Sequence, residues 1–284
     1  MKIGVSSYSF SRYIASTRCD YFKICDIARK MGFDGIEFIG LYNEQWGITG
    51  DELEMARELN KYCKTLGLEI AAYTVGANLL DPDIEGQIAK LKHSVDVAEA
   101  LGAPVMRHDV AGKLKDLPRY NYKDAIADMV PVIREITEYA AAKGIKTCTE
   151  NHGYIFQAPE RVEELIRAVD NDNYGWLCDM GNFLCADADP ERAVTIAAPY
   201  AFHVHAKDFL YKKGEVVAPD GFFRTAGENY LRGTVIGHGV VPVAQCVRIL
   251  KKAGYDGYVS VEFEGLEDNL RAIELGLAYL RKLV

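Results

Sequence analysis

The chain has 284 residues, of which 49% are hydrophobic, and this predicts one sizeable domain, because α/β barrels of this length are usually single domains. Its formal net charge is −8 at pH 7, and no stretch concentrates basic residues. This balance argues against DNA, RNA or an anionic membrane as a partner.

One unit recurs along the chain: an amphipathic helix, a turn that contains glycine, and a short apolar strand. Strands are predicted at 3–9, 36–39, 69–75, 105–110, 146–152, 174–180, 201–208 and 258–264. Apolar residues at helical spacing predict helices at 24–31, 55–66, 84–98, 123–143, 159–169, 190–198, 243–250 and 270–280. Pro131 lies inside the fourth of these helices and predicts a kink or a break there.

This alternation of strands and helices predicts parallel strands joined by right-handed crossovers. About eight units in fewer than 300 residues favour a closed (β/α)8 TIM barrel in a single domain, 1–284, with any active site at the carboxyl ends of the strands. The main alternative is an open doubly wound sheet. That fold usually shows a glycine-rich phosphate turn after an early strand, and the sequence has none.

One connection breaks the pattern. From Phe209 to Val240 the sequence shows no helical spacing, although the segment carries several basic residues and glycines. A connection this long in a compact domain is usually functional. Because it follows the seventh strand, we expect it to act as a lid over the barrel mouth or as a subunit contact in a homo-oligomer.

The expected environment is the cytoplasm. Seven cysteines, an odd number without a CxxC pair, fit a reducing compartment, and we expect all seven to be buried thiols. The first ten residues lack the apolar run of a signal peptide, and no later run is long enough to span a bilayer. We therefore expect neither a membrane nor a nucleic acid as partner.

Four consecutive strands end on a carboxylate or a histidine, namely Glu150, Asp179, His205 and Glu262. In a barrel these strand ends converge on one mouth. Three carboxylates and an imidazole suit one divalent cation of the Mn, Mg, Co or Zn group, and without a cation the carboxylates would repel one another. Glu264 shares a strand face with Glu262 and is the alternative ligand.

Polar residues beside these four are candidates for contact with a substrate. His152 and Asn182 follow the first two ligand strands and are expected to face the substrate. Lys207 shares a strand face with two histidines, and it is expected to hold a hydroxyl or an oxyanion or to pair with a carboxylate. His203, one layer deeper, is expected to orient the histidine ligand.

Further candidates lie near other strand ends. Glu37, His108 and Tyr8 lie near the ends of strands two, four and one, where they could line the pocket. His238, between two glycines at the end of the long connection, is either a substrate contact or a turn residue. His93 lies on a helix and is expected at the surface.

Together these motifs resemble the xylose isomerase-like TIM-barrel superfamily, and within it the sugar phosphate isomerase/epimerase group, which includes ketose 3-epimerases and inosose isomerases and dehydratases. The resemblance covers nearly the whole chain. It rests on the segments GFDGIE at 32–37, ENHG at 150–153, DMGN at 179–182, HVHAKD at 203–208, GHG at 237–239 and GYVSVE at 257–262.

The resemblance implies a role for each of the four strand-end residues. In the relatives, the positions that match Glu150, Asp179, His205 and Glu262 bind one divalent metal ion, for which Mn is the first expectation here. The two glutamates also act as the acid–base pair on opposite faces of the substrate in the epimerases.

Three positions depart from the ketose 3-epimerases. Those enzymes carry a histidine where this chain has Asn182, an arginine where it has Tyr211 and a glutamate where it has Phe156. The resemblance therefore extends to the metal centre but not to the ketose 3-epimerase substrate pocket.

The leading functional hypothesis is a metal-dependent isomerase or epimerase of a carbohydrate, meaning a sugar, a sugar phosphate or a polyol. The alternative is a lyase in the same pocket, such as an inosose dehydratase or an enzyme that eliminates from a 3-keto-glycoside. Both reactions begin with removal of a proton next to a carbonyl. A nuclease like endonuclease IV is disfavoured by the charge of −8 and by only six histidines, and a non-catalytic sugar-binding subunit is disfavoured by the intact ligand set.

Overall fold

The computed structural model describes residues 1–42, 44, 49–215 and 217–284. Its strands are β1 (Lys2–Ser6), β2 (Gly35–Ile39), β3 (Glu69–Val75), β4 (Val105–His108), β5 (Lys146–Glu150), β6 (Tyr174–Asp179), β7 (Ala201–Ala206), β8 (Asp208–Lys212), β9 (Phe223–Arg224), β10 (Tyr230–Thr234) and β11 (Tyr258–Val261). Its helices are α1 (Ser11–Thr17), α2 (Tyr21–Met31), α3 (Glu52–Leu66), α4 (Ile84–Leu101), α5 (Tyr122–Ala141), α6 (Pro159–Val169), α7 (Pro190–Ala197), α8 (Val243–Lys252) and α9 (Asn269–Leu280). Short 3₁₀ helices cover Ser7–Phe10, Asn182–Ala186 and Ala198–Tyr200.

Eight of the strands close into a barrel in the order β1-β11-β7-β6-β5-β4-β3-β2. Each neighbouring pair is parallel, and the ring closes where Val5 of β1 lies beside Val261 of β11. Parallel strands that alternate with helices confirm the predicted (β/α)8 TIM barrel. The carboxyl ends of all eight strands therefore open at one mouth.

Capping residues set the bounds of the helices. Asp20 precedes α2 and accepts a hydrogen bond from the backbone of Lys23, and Gly32 ends the helix at φ 95°. Asp51 and Gly67 do the same for α3, with Gly67 at φ 62°. A side-chain acceptor at the start and a glycine in the left-handed region at the end satisfy the free backbone groups of a helix.

Most predicted elements differ from the structure by one to three residues at an end. The first strand ends at Ser6 rather than at residue 9, because the Ser6 side chain accepts from the Tyr8 backbone and turns the chain into the first 3₁₀ helix. The fourth strand ends at His108 rather than at residue 110. The helix α5 runs unbroken through Pro131, since Pro removes only one hydrogen bond from a helix that a capping box at Asn121 starts and buried residues anchor.

The long connection contains a small sheet, which the sequence did not predict. The strands β8, β10 and β9 pair antiparallel in that order, and Phe209 and Leu231 are buried beneath them. A turn of this sheet is tied to Asp187, which accepts hydrogen bonds from Thr225, Gly227 and Asn229. Residue 216 lies outside the described residues. A lid or subunit-contact role for the connection, and the homo-oligomer itself, stay predictions.

The apolar core lies mainly between the barrel and its helices. A smaller apolar cluster, made by Ala72, Val105, Cys148 and Leu177, lies among the strands. On β5 and β6 these residues are two positions before the predicted metal ligands, so the cluster forms a floor below the site. Six of the seven cysteines are buried, and Cys19 is partly exposed, which corrects the expectation for that residue. Among the described residues, no helix has the length and apolar character needed to cross a bilayer.

Candidate metal centre

The four strand-end residues predicted as ligands converge inside the barrel. Glu150 and Asp179 end β5 and β6, His205 lies on β7, and Glu262 directly follows β11. From His205 Nδ1 the distances are 3.2 Å to Glu262 Oε2, 3.7 Å to Glu150 Oε1 and 3.8 Å to Asp179 Oδ2. One ligand atom from each residue lies within 4.8 Å of the others, and all four side chains are buried.

The donor set fits a divalent cation. Glu150 Oε2, Asp179 Oδ2, Glu262 Oε2 and His205 Nδ1 are buried and have no hydrogen bond of regular geometry with the described residues. Buried polar atoms in folded proteins are normally hydrogen-bonded. Asp179 Oδ2 and Glu262 Oε2 lie 3.8 Å and 3.2 Å from His205 Nδ1, so these three atoms converge on a place where they could share a ligand. Three carboxylate oxygens and one imidazole nitrogen are ligand atoms that bind Mn²⁺, Mg²⁺, Co²⁺ and Zn²⁺.

Two buried, positively charged side chains lie against this cluster. Arg107 Nη2 is 2.5 Å from Glu150 Oε2, and Lys207 Nζ is 2.7 Å from Glu262 Oε2 and 3.1 Å from Asp179 Oδ2. Burial raises the pKa of both glutamates, but Arg107 brings the pKa of Glu150 below its usual range. His205 and Lys207 hold the pKa of Glu262 well below its usual range. Both glutamates are therefore carboxylates at neutral pH.

The comparison with known proteins identifies the family. A family model described as the xylose isomerase-like TIM barrel matches residues 25–283. The chain belongs to the xylose isomerase-like TIM-barrel family. It is 26% identical over 218 residues to an inosose dehydratase from Clostridium perfringens, covering 72% of this chain and 73% of the relative.

Solved structures share this xylose isomerase-like fold. A probable 3-DHS dehydratase from Bacillus anthracis superposes with a TM-score of 0.74 at 22% identity, covering 99% of both chains. A D-psicose 3-epimerase from Clostridium cellulolyticum H10 superposes with a TM-score of 0.73 at 18% identity, covering 100% of this chain and 99% of the other. At these identities the likeness shows the fold alone.

In this xylose isomerase-like barrel, Glu37 lies one layer below the four converging residues. Its carboxylate oxygens are both 2.9 Å from His205 Nε2, and Oε2 is also 2.6 Å from His203 Nε2. Glu37 is fully buried and its carboxylate is taken up by the two histidines, so its contact with a substrate stays a prediction that this position does not favour. His203 lies deeper than His205, as expected, and is linked to it through Glu37.

His108 faces away from the site, which corrects its predicted role. Side chains alternate along β4, so Val105 and Arg107 point into the barrel while His108 points toward the helices. The His108 ring stacks on Tyr174 at 6.0 Å, and its Nδ1 is 3.0 Å from the backbone oxygen of Asp109. Arg107 is the residue that the sequence interpretation missed, because alternation along β4 does not tell which of its two faces points inward.

His152 lies at the mouth of the barrel, where its side chain is 50% exposed and therefore open to a ligand. Its Nδ1 is 3.1 Å from Asp109 Oδ1, and Asp109 is in turn 3.2 Å from Arg107. The hydrogen bond to Asp109 raises the pKa of His152. Asp109 was not predicted, because it follows the strand and carries no periodic signal.

Asn182 and Lys207 lie at the inner edge of the pocket. Asn182 Nδ2 donates to Glu150 Oε1 at 2.9 Å, and Asn182 Oδ1 accepts from Lys207 Nζ at 3.1 Å. Lys207 Nζ is also 3.4 Å from Glu264, whose pKa is raised by burial. Burial lowers the pKa of Lys207, but Asp179 and the neighbouring glutamates raise it well above its usual range. Lys207 is therefore protonated, and its contact with a substrate stays a prediction.

The remaining candidates lie at or beyond the edge of the site. His238 is exposed in a turn whose glycines, Gly237 and Gly239, donate their backbone N–H groups to Asp208 at 2.8 Å. This placement favours the turn role over the substrate role. Burial and the charge of Glu264 raise the pKa of the partly buried Tyr8. His93 is half exposed on α4, as expected.

Proposed function

We propose that this protein is a divalent-metal-dependent dehydratase that removes a proton next to the carbonyl of a polyhydroxylated ketone and expels water from the neighbouring carbon. The observation that carries the proposal is the buried cluster of two ionised glutamates, one aspartate and one histidine with a protonated lysine against it. The family is enzymatic, and its match to an inosose dehydratase supports the loss of water.

In this proposal Glu150, Asp179, His205 and Glu262 hold one cation, with Mn²⁺ as the first expectation. When bound, the cation supplies Lewis-acid polarisation of the carbonyl oxygen, which the reaction requires because a glutamate with a reference pKa of about 4.3 is a weak base. His152, at the mouth, donates a hydrogen bond to a substrate hydroxyl.

The chain's own residues move the protons. The carboxylate of Glu150 or Glu262 takes the proton as the carbon–hydrogen bond breaks. The electron pair forms a carbon–carbon double bond as the hydroxyl on the neighbouring carbon departs. Lys207 donates its proton to that hydroxyl, which leaves as water, and the protonated glutamate then returns its proton to Lys207. The first product is an enol that still carries the original carbonyl. The enol then tautomerises, which creates a second carbonyl beside the first.

An isomerase or epimerase in the same pocket is the second candidate. It is favoured by two glutamates that reach the same point from strands separated by β6 and β7, so that one could remove a proton and the other return it. The ketose 3-epimerase version is the weaker form, because Phe156, which replaces a glutamate of those enzymes, is fully buried in the apolar core.

The test is incubation in D₂O with Mn²⁺ or Mg²⁺ and a panel of ketoses, ketose phosphates, inososes and 3-keto-glycosides, followed by NMR. Loss of water from one substrate supports the dehydratase. Deuterium at one carbon with the composition retained would establish the isomerase or epimerase instead. Absence of both reactions across the panel would contradict removal of a proton next to the carbonyl.

Glutamine variants test whether both glutamates are needed for turnover. Glu150→Gln and Glu262→Gln should each reduce turnover by at least 100-fold, in line with the usual contribution of a general base. The matched control is Glu69→Gln at the amino-terminal end of β3, where the glutamate is exposed and pairs with Lys2. This control should keep the wild-type rate.

A further inference from the structure

One buried carboxylate is shared by two histidines of the same strand. Glu37 of β2 reaches across the barrel to His203 and His205 of β7, with Nε2–oxygen distances of 2.6 Å and 2.9 Å. The Ser260 hydroxyl lies 3.0 Å from His203 Nε2 on the other side. All four residues are at most 1% exposed, so water does not compete for these contacts.

This arrangement fixes which nitrogen of His205 faces the metal centre. An ionised carboxylate only accepts hydrogen bonds, so His205 Nε2 must carry the proton that it shares with Glu37. Nδ1 then points at the three carboxylates of the site, 3.2 to 3.8 Å away. If the ring were flipped, Nε2 would be withdrawn from Glu37 and a buried carboxylate would lose a partner, which is costly.

We propose that Glu37 is a positioning residue of the metal centre: it holds the His205 ring in one orientation and one tautomer, and His203 in turn holds Glu37. This inference rests on the metal site of the proposed function. In this role Glu37 contacts neither the substrate nor the cation. It acts by keeping Nδ1 of His205 turned toward the three carboxylates, so that this nitrogen is the one that faces the cation.

The test measures divalent-cation binding without turnover. Competition with a chromophoric chelator gives the Kd for Zn²⁺ and Mn²⁺ in wild type, Glu37→Gln and Ser260→Ala. Glu37→Gln keeps the volume but removes the negative charge and replaces one accepting oxygen with an NH₂ donor, and we expect a Kd that is 10- to 100-fold weaker. Ser260→Ala removes the other partner of His203 without touching His205, and the Kd should change less than twofold.

A second readout separates positioning from a general loss of stability. In the Zn²⁺-loaded wild type, ¹⁵N NMR should show His205 as the Nε2–H tautomer with Nδ1 bound to the ion, and Glu37→Gln should shift or broaden those resonances. If Glu37→Gln does not fold, Glu37→Asp, which withdraws the carboxylate by one methylene, should still weaken the Kd at least fivefold.

Two results would overturn the inference. One is a folded Glu37→Gln or Glu37→Asp protein whose Kd is within twofold of wild type. The other is a loaded wild type in which His205 binds through Nε2. A wild type that binds no cation would contradict the proposed function as well, so the two failures are distinguishable.

Discussion

Arg107 and Glu150 form an ion pair inside the barrel, with Nη2 2.5 Å from Oε2 and side-chain exposures of 7% and 2%. An arginine here neutralises a carboxylate of the proposed metal centre. Because both charges are buried, removing one leaves the other without compensation.

Replacing Arg107 should therefore destabilise the metal-free protein strongly. Arg107→Met leaves the Glu150 charge buried and unpaired, and we expect a loss of roughly 3–5 kcal/mol in the free energy of unfolding. Urea denaturation in EDTA measures this loss. Arg107→Lys, which keeps the positive charge, is the matched control and should lose less. A loss below about 1 kcal/mol for Arg107→Met would show that Arg107 is not needed to compensate the buried charge of Glu150.

Metal removal should lower stability through the same cluster. A cation at 100 times its Kd stabilises the folded state by about 2.7 kcal/mol, since the unfolded chain does not gather the ligands. Thermal unfolding with excess Mn²⁺ and with EDTA should thus give a clearly higher Tm with the ion. In His205→Ala the difference should vanish. An equal shift in His205→Ala would place the stabilising ion elsewhere.

The stability of the protein should fall in mild acid partly because of His108. Burial lowers the pKa of His108 below its ordinary value, so the unfolded chain binds a proton at a higher pH than the folded protein does. Stability is thus lost as the pH falls through the unfolded value of about 6.5 toward the folded one. His108→Asn keeps a donor for the Asp109 backbone oxygen and cannot titrate.

Urea denaturation at pH 7.5 and pH 5.5 measures this contribution. The loss of unfolding free energy between the two pH values should be smaller in His108→Asn than in wild type, because the other titrating groups are common to both proteins. Equal losses in the two proteins would mean that His108 is not buried in its neutral form.

The small sheet after β7 should depend on Asp187. This carboxylate accepts from the Thr225 hydroxyl at 2.8 Å, from the Asn229 amide at 2.7 Å and from the Gly227 backbone. Asp187→Ala should speed proteolysis within 213–230 several-fold while leaving the barrel folded. Asp220→Ala, at an exposed position in the same connection, is the control and should not change the rate. Unchanged cleavage in Asp187→Ala would show that other contacts hold the sheet.

The barrel and its ligand set could be predicted because their signals are local. Helical spacing, glycine at helix ends and four consecutive strands that end on Glu150, Asp179, His205 and Glu262 all appear in short segments. The parallel order of the strands then follows from the alternation of strands and helices.

The other features of the site depend on which face of each strand points into the barrel and on how far below the mouth each side chain lies. Alternation shows that Arg107 and His108 lie on opposite faces of β4, but it does not say which face points inward, and a shift by one residue exchanges them. Glu37 lies on the inward face of β2, as predicted. How far below the mouth it lies is set by its contacts with His203 and His205, which are more than 160 residues away in the sequence. The β8–β10–β9 sheet is likewise missed, because the pairing of distant short strands leaves no periodic signal.

Metal content tests the central claim most directly. Protein purified without chelator should contain close to one equivalent of divalent cation per chain by elemental analysis, and EDTA-treated protein should take up one equivalent in a calorimetric titration. His205→Ala and Asp179→Asn should lose most of it, while His93→Ala, at the surface of α4, should retain it. A wild type that holds no divalent cation and takes up none would contradict the metal centre and the reaction proposed for it.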